Sequence, residues 1–413
     1  MYGLLGKNIS YSYSPDVHSK FGGYEYKFYD ILEDNFKTFI TEKDFKGINV
    51  TIPYKEIVIK YLDNLSEEVI KTNSCNTIIN KSGKLYGYNT DYYGFKTLLQ
   101  ENKVVVYNKN CLILGSGATS RTVKAVLEDL YASSIIIASR DSLKGDITYS
   151  KITEKLQPNI IINTTPVGVS PDYRNSVIDI SIFNNLEVVI DVIYNPLRTK
   201  LLLDAKEKGI KYINGLMMLV FQAKKASELF QNIKIDNAKA LKIYKDLQDT
   251  LRNIVFIGLP ASGKTTVGKY IAKKTNKKLV SIDKILVASE KMSVSEIFAK
   301  KGEDYFRKKE VSLIKEYSQK TNQIIDTGGG VVLNDESMEL LKANGLLVFL
   351  NRDYDKMILR PGKRPLIKNY DDLLKIKNER YDLYLKHADI IITNNYKLKN
   401  SISLVYNKIS NYE

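Results

Sequence analysis

The sequence predicts an α/β protein built on parallel sheets, and three observations carry that expectation. The first is Gly258-Leu-Pro-Ala-Ser-Gly-Lys-Thr265, a G-x-x-x-x-G-K-T string between an apolar run, Asn253–Ile257, and a helix-like run, Thr266–Lys274. The second is a series of short apolar runs, Cys111–Leu114, Ser134–Ala138, Ile160–Ile162 and Val188–Asp191, separated by segments long enough for helices. Such alternation reads as a doubly wound parallel sheet. The third is Gly115-Ser-Gly-Ala-Thr-Ser120, a G-x-G-x-x-S loop that follows the strand ending at Leu114 and precedes a helix over Arg121–Leu130.

With 413 residues the chain has room for two or three domains. Its 44% apolar and 26% charged residues are ordinary for a globular protein. No apolar run approaches the ~18–20 residues that span a bilayer. The start, Met1-Tyr-Gly-Leu-Leu-Gly-Lys7, lacks the basic-then-apolar pattern of a secretory signal, so no membrane association is expected. Two cysteines, Cys75 and Cys111, are too few for a disulfide framework or a metal site, which points to a reduced, cytoplasmic compartment. The net charge of +15 divides into about +4 over residues 1–250 and about +11 beyond. No Lys/Arg block is interleaved with aromatics, and Lys-, Asn- and Tyr-rich usage runs through the whole chain. The charge therefore reads as compositional bias, and no nucleic-acid partner is expected. The oligomeric state is left open.

In the G-x-x-x-x-G-K-T string, Gly258 and Gly263 let backbone N–H groups turn inward on phosphates, where a helix N-terminus adds partial positive charge. Lys264 reaches the β/γ-phosphates and Thr265 holds Mg2+, with Ser262 and Thr266 completing the loop. ATP and Mg2+ are the implied ligands. In the second loop, Gly115, Ser116, Gly117, Ala118, Thr119 and Ser120 form a candidate dinucleotide cradle, with Ser120 where a third glycine often stands. A free ribose 2′-OH calls for a carboxylate at the tip of the next strand. That strand ends Ala138-Ser139-Arg140 instead, and a guanidinium suits a 2′-phosphate. Lys144 adds charge, so NADP(H) is expected rather than NAD.

The first 100 residues mix expected strands, Tyr2–Gly6, Gly47–Thr51 and Leu85–Tyr88, with polar clusters. Ser10, Ser12 and Ser14 alternate, so their hydroxyls point the same way if the segment is extended. Thr51 and Lys55 follow a strand closely, and Asn76, Thr77, Asn89, Thr90 and Asp91 add amides, hydroxyls and a carboxylate. Together they suit a small polyhydroxy carboxylate. Residues 214–250 read as helices with Met217, Leu219, Val220, Ala223 and Ala226 as core, and a short linker is expected near 248–252. His18 reads as structural.

As a set, these motifs resemble shikimate dehydrogenase over residues 1–250: Ser12-Tyr-Ser14-Pro15, Asn49-Val-Thr51-x-Pro53-x-Lys55, Asn76-Thr77, Asn89-Thr90-Asp91, the Gly115 loop, Ser139-Arg140, Asn163-Thr-Thr165-Pro-x-Gly168, and Asn214-Gly215 with Gln222. The resemblance implies that Ser12, Ser14, Thr51, Asn76, Asp91 and Gln222 bind substrate hydroxyls and carboxylate. It makes Lys55 and Asp91 the catalytic pair and Tyr194 a substrate contact. From 253 onward the chain resembles shikimate kinase, on the phosphate loop, Asp283, Arg307 with Glu310, Thr327-Gly328-Gly329-Gly330, Arg360 to Arg364-Pro365-Leu366, and Glu379-Arg380. By that resemblance Asp283 and Gly328, Gly329 and Gly330 hold substrate hydroxyls, and Arg307 and Arg380 hold its carboxylate. Arg364 lies on a mobile lid over ATP, and Arg360 stabilises transferring charge.

Four departures stand out. The Arg140–Asn163 segment and the Arg360–Arg364 lid are shorter than these families usually have. Met217 stands where glycine is frequent. Ser281 replaces the first carboxylate of an Asp-x-Asp, and Asp326, ending Gln323–Asp326, is a candidate to organise magnesium instead. The expected architecture is an N-terminal α/β substrate domain (1–100, completed by helices from 214–250), a Rossmann-like NADP domain (101–213) and a P-loop kinase domain (253–413). The expected function is bifunctional: NADPH-dependent reduction of 3-dehydroshikimate, then MgATP-dependent phosphorylation of shikimate. The alternatives are a quinate/shikimate dehydrogenase using NAD, or one half kept as a non-catalytic ligand-sensing module.

Overall fold

The computed structural model describes residues 1–10, 12–358, 366–367 and 369–412. The chain forms two compact units: Met1–Val169 with Asn175–Tyr194 and Thr199–Leu247, and Ser170–Arg174 with Asn195–Arg198 and Gln248–Glu413. Among the described residues no helix is long and apolar enough to cross a membrane.

The first unit holds two six-stranded sheets. One runs in the order Tyr26–Asp30, Tyr2–Gly6, Gly47–Val50, Thr77–Lys81, Lys84–Tyr88, Asn64–Leu65, parallel on its first three strands and antiparallel where Thr77–Lys81 meets its two neighbours. Leu5, Ile48, Ile78, Leu85, Phe36 and Tyr54 fill its core. Residues 12–14 are not extended, the condition under which their hydroxyls would point the same way. Ser14 opens the helix Ser14–Phe21, and Ser12 Oγ accepts from Ser14 N–H at 3.2 Å. The two hydroxyls still meet, at 3.0 Å, because a helix start gathers them. Helices Thr90–Glu101 and Leu216–Gln231 cross closely where Gly94 lacks a side chain, since a Cβ there would lie 2.7 Å from the Met218 carbonyl oxygen.

The second sheet is wholly parallel, ordered Lys211–Asn214, Val188–Asp191, Ile160–Asn163, Asn110–Leu114, Ser134–Ser139, Ile147–Thr148. Its central strands are buried on both faces, which is why they read as unbroken apolar runs. The chain leaves Asn110–Leu114 toward one edge and returns on the other side as Ile160–Asn163, so a crevice opens between the ends of those two strands. The crossover between Ser139 and Ile160 contains a two-residue strand and two 3-10 turns and no α-helix.

The second unit carries a five-stranded parallel sheet, ordered Lys278–Ser281, Gln323–Asp326, Asn253–Ile257, Gly345–Asn351, Ile390–Thr393. The chain again starts at the centre, moves to one edge and crosses to the other. The short linker expected at 248–252 is instead the last turn of the helix Asn237–Leu251, with Arg252 leading into the strand Asn253–Ile257.

Candidate active sites

Lys55 lies on the four-residue helix Tyr54–Ile57, and Asp91 lies in the first turn of Thr90–Glu101, whose N-cap Asn89 accepts from Tyr92 N–H. The ammonium donates to Asp91 Oδ2 at 2.6 Å, both side chains being nearly buried. Beside them, Asn76 Oδ1 accepts from Thr90 N–H (2.6 Å), Thr90 Oγ1 and Thr77 Oγ1 (both 3.1 Å). With its oxygen saturated, the Asn76 amide has only N–H donors to offer. Gln222 is buried, with Nε2 donating to the Leu219 carbonyl at 2.9 Å. Thr51 follows the central strand Gly47–Val50, and Tyr194 meets Tyr13 edge-on with ring centroids 6.2 Å apart. His18 is fully buried, bonded to the Tyr24 hydroxyl at 2.6 Å and stacked on Tyr26. Burial drives its pKa down to about 3, so it stays neutral.

At the crevice of the parallel sheet, Gly115 takes φ +103°, and a Cβ there would lie 2.8 Å from Thr164 Oγ1. Gly117, the N-cap of Ala118–Asp129, has nothing within 4 Å of where a Cβ would stand. The loop thus presents open backbone at a helix N-terminus, which fits a pyrophosphate. Ser116 and Ser139 hydroxyls bond at 2.9 Å. Arg140 is exposed and makes no hydrogen bond or ion pair among the described residues, which fits a 2′-phosphate. Asp141, one residue beyond, is used up locally: its carboxylate accepts from Leu143 N–H at 3.0 Å and lies 3.9 Å from Lys144. Ser120 does not belong with the cradle. It lies within the helix, fully buried, in the place where close packing against the sheet favours a small residue.

Asn163, part of the Asn-Thr-Thr-Pro-x-Gly motif, has a partner that no local pattern marks. Asp191, fully buried, accepts from Asn163 Nδ2 (3.1 Å to each oxygen), Thr199 Oγ1 (2.7 Å) and Ile193 N–H (3.0 Å). Asn163 in turn accepts from Thr165 N–H and Oγ1. Burial raises the Asp191 carboxyl to about 7. This network ties the loop after Ile160–Asn163, which flanks the crevice, to the loop after Val188–Asp191.

In the second unit a cleft of about 650 Å³ is walled by Lys264, Thr265 and Thr266, by Asp283, Arg307 and Arg380, and by Gly328–Gly330. Gly258 (φ +142°) and Gly263 (φ +99°) shape the phosphate loop. Lys264 Nζ donates to the carbonyls of Gly258 and Leu259 at 2.8 and 3.0 Å. Gly328 has to be glycine: a Cβ would lie 2.5 Å from Glu310 Oε1 and 3.0 Å from Asp283 Oδ1. Those two buried oxygens have no hydrogen-bond partner among the described residues, and Asp283, in the cleft wall, is an acceptor without a donor. Burial first, then the Glu310 and Asp326 charges, raise Asp283 to about 6 against the pull of Lys264 and Arg307. Arg307 is held by Glu310 (2.8 Å) and Glu303 (2.9 Å), while Arg380 donates to the Gly329 carbonyl at 3.3 Å. Asp326 Oδ2 accepts from Ser281 Oγ at 3.0 Å. No group of three or more His, Cys, Asp or Glu among the described residues would hold a metal by itself, so Mg2+ would rest on nucleotide phosphates with Thr265. Arg360 and Arg364 lie outside the described residues.

A crevice with a glycine cradle and, in the same unit, a lysine–carboxylate pair, together with a P-loop cleft with a carboxylate acceptor, define a dinucleotide-dependent oxidoreductase joined to a phosphotransferase. Comparison with known proteins gives the families. Residues 4–78 match the shikimate dehydrogenase substrate binding domain, and residues 260–410 match shikimate kinase. The shikimate dehydrogenase (NADP(+)) of Clostridium perfringens (strain 13 / Type A) is 36% identical over 276 residues, covering 60% of this chain and 98% of that protein. Among solved structures, a chorismate mutase/shikimate 5-dehydrogenase fusion protein from Clostridium acetobutylicum matches with TM-score 0.56 and 33% identity, over 60% of this chain and 96% of that one. Shikimate dehydrogenase 1 from Peptoclostridium difficile matches with TM-score 0.56 and 34% identity, over 60% and 97%. The chain belongs to the shikimate dehydrogenase family in its first part and carries a shikimate kinase domain in its second. It is a bifunctional shikimate-pathway enzyme, an oxidoreductase and a kinase, with NADP, ATP and Mg2+ as cofactors.

The Asp191 network makes a stability prediction. Asp191→Ala leaves donors from Asn163, Thr199 and Ile193 unpaired in the interior, and should cost about 3 kcal/mol or more. Urea unfolding of the full chain measures it. A loss under about 1 kcal/mol would mean that water or a rearranged loop replaces the carboxylate.

Proposed function

We propose that the first unit reduces 3-dehydroshikimate to shikimate with NADPH and that the second phosphorylates the shikimate 3-hydroxyl with MgATP, in the cytoplasm. The partition assigned is residues 1–100 with 214–250 for the first substrate, 101–213 for NADP and 253–413 for the kinase. The observation that carries the reading is the 2.6 Å Lys55–Asp91 pair beside an Asn76 amide whose oxygen is saturated. NADPH, when bound, supplies the hydride. Lys55 holds the proton that the new alkoxide needs, and Asp91 keeps that ammonium oriented while accepting from a substrate hydroxyl. Ser12 and Ser14 donate to the carboxylate, and Thr51, Asn76, Tyr194 and Gln222 hold the ring hydroxyls. Gly115–Thr119 and Ser139 cradle the dinucleotide, with Arg140 and Lys144 on its 2′-phosphate.

In the second unit Asp283 accepts from the reacting hydroxyl, and the Gly328–Gly330 backbone closes around the ring. Arg307 and Arg380 hold the carboxylate. Lys264, Thr265 and the loop N–H groups orient the phosphates, with Arg360 and Arg364 assigned to transferring charge and lid. Mg2+, when bound, neutralises phosphate charge, and Asp326 orders its water shell.

One coupled assay tests the order of steps: 3-dehydroshikimate, NADPH and MgATP, with shikimate and shikimate 3-phosphate followed together. In it, Lys55→Ala should slow ketone reduction on the order of 10²–10⁴-fold while added shikimate is still phosphorylated. A near-wild-type reduction rate would remove Lys55 from the mechanism.

Arg140→Ala should weaken NADPH by about 1.5–3 kcal/mol and leave NADH almost unchanged, because only NADPH loses a charge-assisted bond. Equal losses for both cofactors would take the 2′-phosphate away from Arg140.

Asp326→Asn should raise the magnesium concentration needed for phosphoryl transfer and leave shikimate affinity unchanged. Adding Ser281→Asp should restore part of the loss, since the two side chains already touch. An unchanged magnesium requirement would make Asp326 a turn residue only.

A further inference from the structure

Charged side chains stand at both flanks of the strand ends of the third sheet where the phosphate loop sits. The acids Asp283 and Asp326 stand where Lys278–Ser281 and Gln323–Asp326 end. On the opposite flank, directly after Gly345–Asn351, stands Arg352, which shares the cleft wall with Lys264 and Thr265. In the sequence, Asn351-Arg-Asp353 looks like any polar loop. In the structure Arg352 is partly buried, its Nε is fully enclosed, and it makes no hydrogen bond or ion pair among the described residues. The neighbouring carboxylate does not serve it, since Asp353 pairs with Lys356 at 3.0 Å. An enclosed guanidinium N–H without an acceptor is costly, and a cleft wall is where a ligand supplies the acceptor.

The backbone that carries Arg352 is stitched to the phosphate loop. Asp353 N–H donates to Asn395 Oδ1 at 2.9 Å, Asn394 N–H donates to the Asn351 carbonyl at 2.6 Å, and Asn394 Nδ2 donates to the Ser262 carbonyl at 2.6 Å. Arg352 is thereby set in a fixed place relative to Lys264. It lies on the side away from Asp283, which is the side left for the rest of a nucleotide once its terminal phosphate faces the acceptor.

We infer that Arg352 is a nucleotide-binding residue of this chain, its guanidinium contacting the adenine nucleotide from the flank opposite Asp283. The inference rests on the kinase reading of the cleft. A guanidinium has two ways to make the contact, a fork onto phosphate oxygens or a cationic face over the base.

Titration of the full chain with a fluorescent ADP analogue and Mg2+ tests it. Arg352→Gln should weaken binding at least tenfold, Arg352→Lys should recover only part, and shikimate binding by calorimetry should not move. The melting temperature should hold, because the guanidinium loses no protein partner. Inorganic pyrophosphate as a second probe locates the contact: a matching loss puts it on the phosphates, a loss confined to the ADP analogue puts it on the base. Binding by Arg352→Gln within twofold of wild type overturns the inference. Failure of the wild-type chain to bind the analogue, with Lys264→Ala equally inert, overturns the nucleotide reading of the cleft itself.

Discussion

Both clefts descend from one constraint, the way a chain has to leave a buried parallel strand. Such a strand pairs on both edges and is covered on both faces, so its exit has to turn sharply out of the sheet. Where successive crossovers run to opposite sides, no helix covers the strand ends, and the backbone there is exposed to ligands. Gly115 at φ +103°, Gly258 at +142° and Gly263 at +99° are the residues that permit those exits. The N–H groups they free point into the crevice together with the first turn of the following helix. A dinucleotide cradle and a phosphate loop are thus one solution found twice, on sheets of different strand order.

The two proposed substrate clefts satisfy their polar groups in opposite ways. Around Lys55 and Asp91 the amides and the ammonium are already paired. Thr77 and Thr90 use up the Asn76 oxygen, Asn89 donates to Thr72 and Thr122, and Lys55 already has its carboxylate. That cleft is preset, with donors aimed outward. Around Gly328 the interior is left short of donors, with Asp283 and Glu310 oxygens facing each other across a glycine and Asp283 shifted to about 6. A hydroxyl donor entering that space relieves both burial and like-charge repulsion.

The strands buried on both faces were legible as apolar runs, among them Val188–Asp191, Asn253–Ile257 and Gln323–Asp326. Tyr26–Asp30 was not, because this edge strand is half exposed and carries lysine and aspartate. Glycine loops were legible because their backbone demand leaves a spacing in the sequence. The supports were not, because they join residues far apart in the chain. Asn163 meets Asp191 across 28 positions, and Asn394 reaches Ser262 across 132 positions. Ser12 and Ser14 hydroxyls come together by a helix start, where the alternation aligns them only on the condition of an extended segment. Ser120 looked like part of a cradle by spacing alone, and burial assigns it to packing.

Ser281 and Asp326 show why a motif is better located in space than along the chain. A reading by position finds a carboxylate missing where the strand Lys278–Ser281 ends. The sheet pairs Ser281 with Asp326 across parallel neighbours, so the two side chains leave the same face at the same level. Ser281 Oγ donates to Asp326 Oδ2, both side chains buried in the wall of the phosphate cleft. In the reading proposed for Asp326, the negative charge stands one strand over, about the 4.8 Å that separates strands. What reaches a metal's water shell is an acceptor at a given place, and either strand can supply it. Parallel register makes the exchange available, since partners in register share a side-chain direction while a slip of one residue would reverse it.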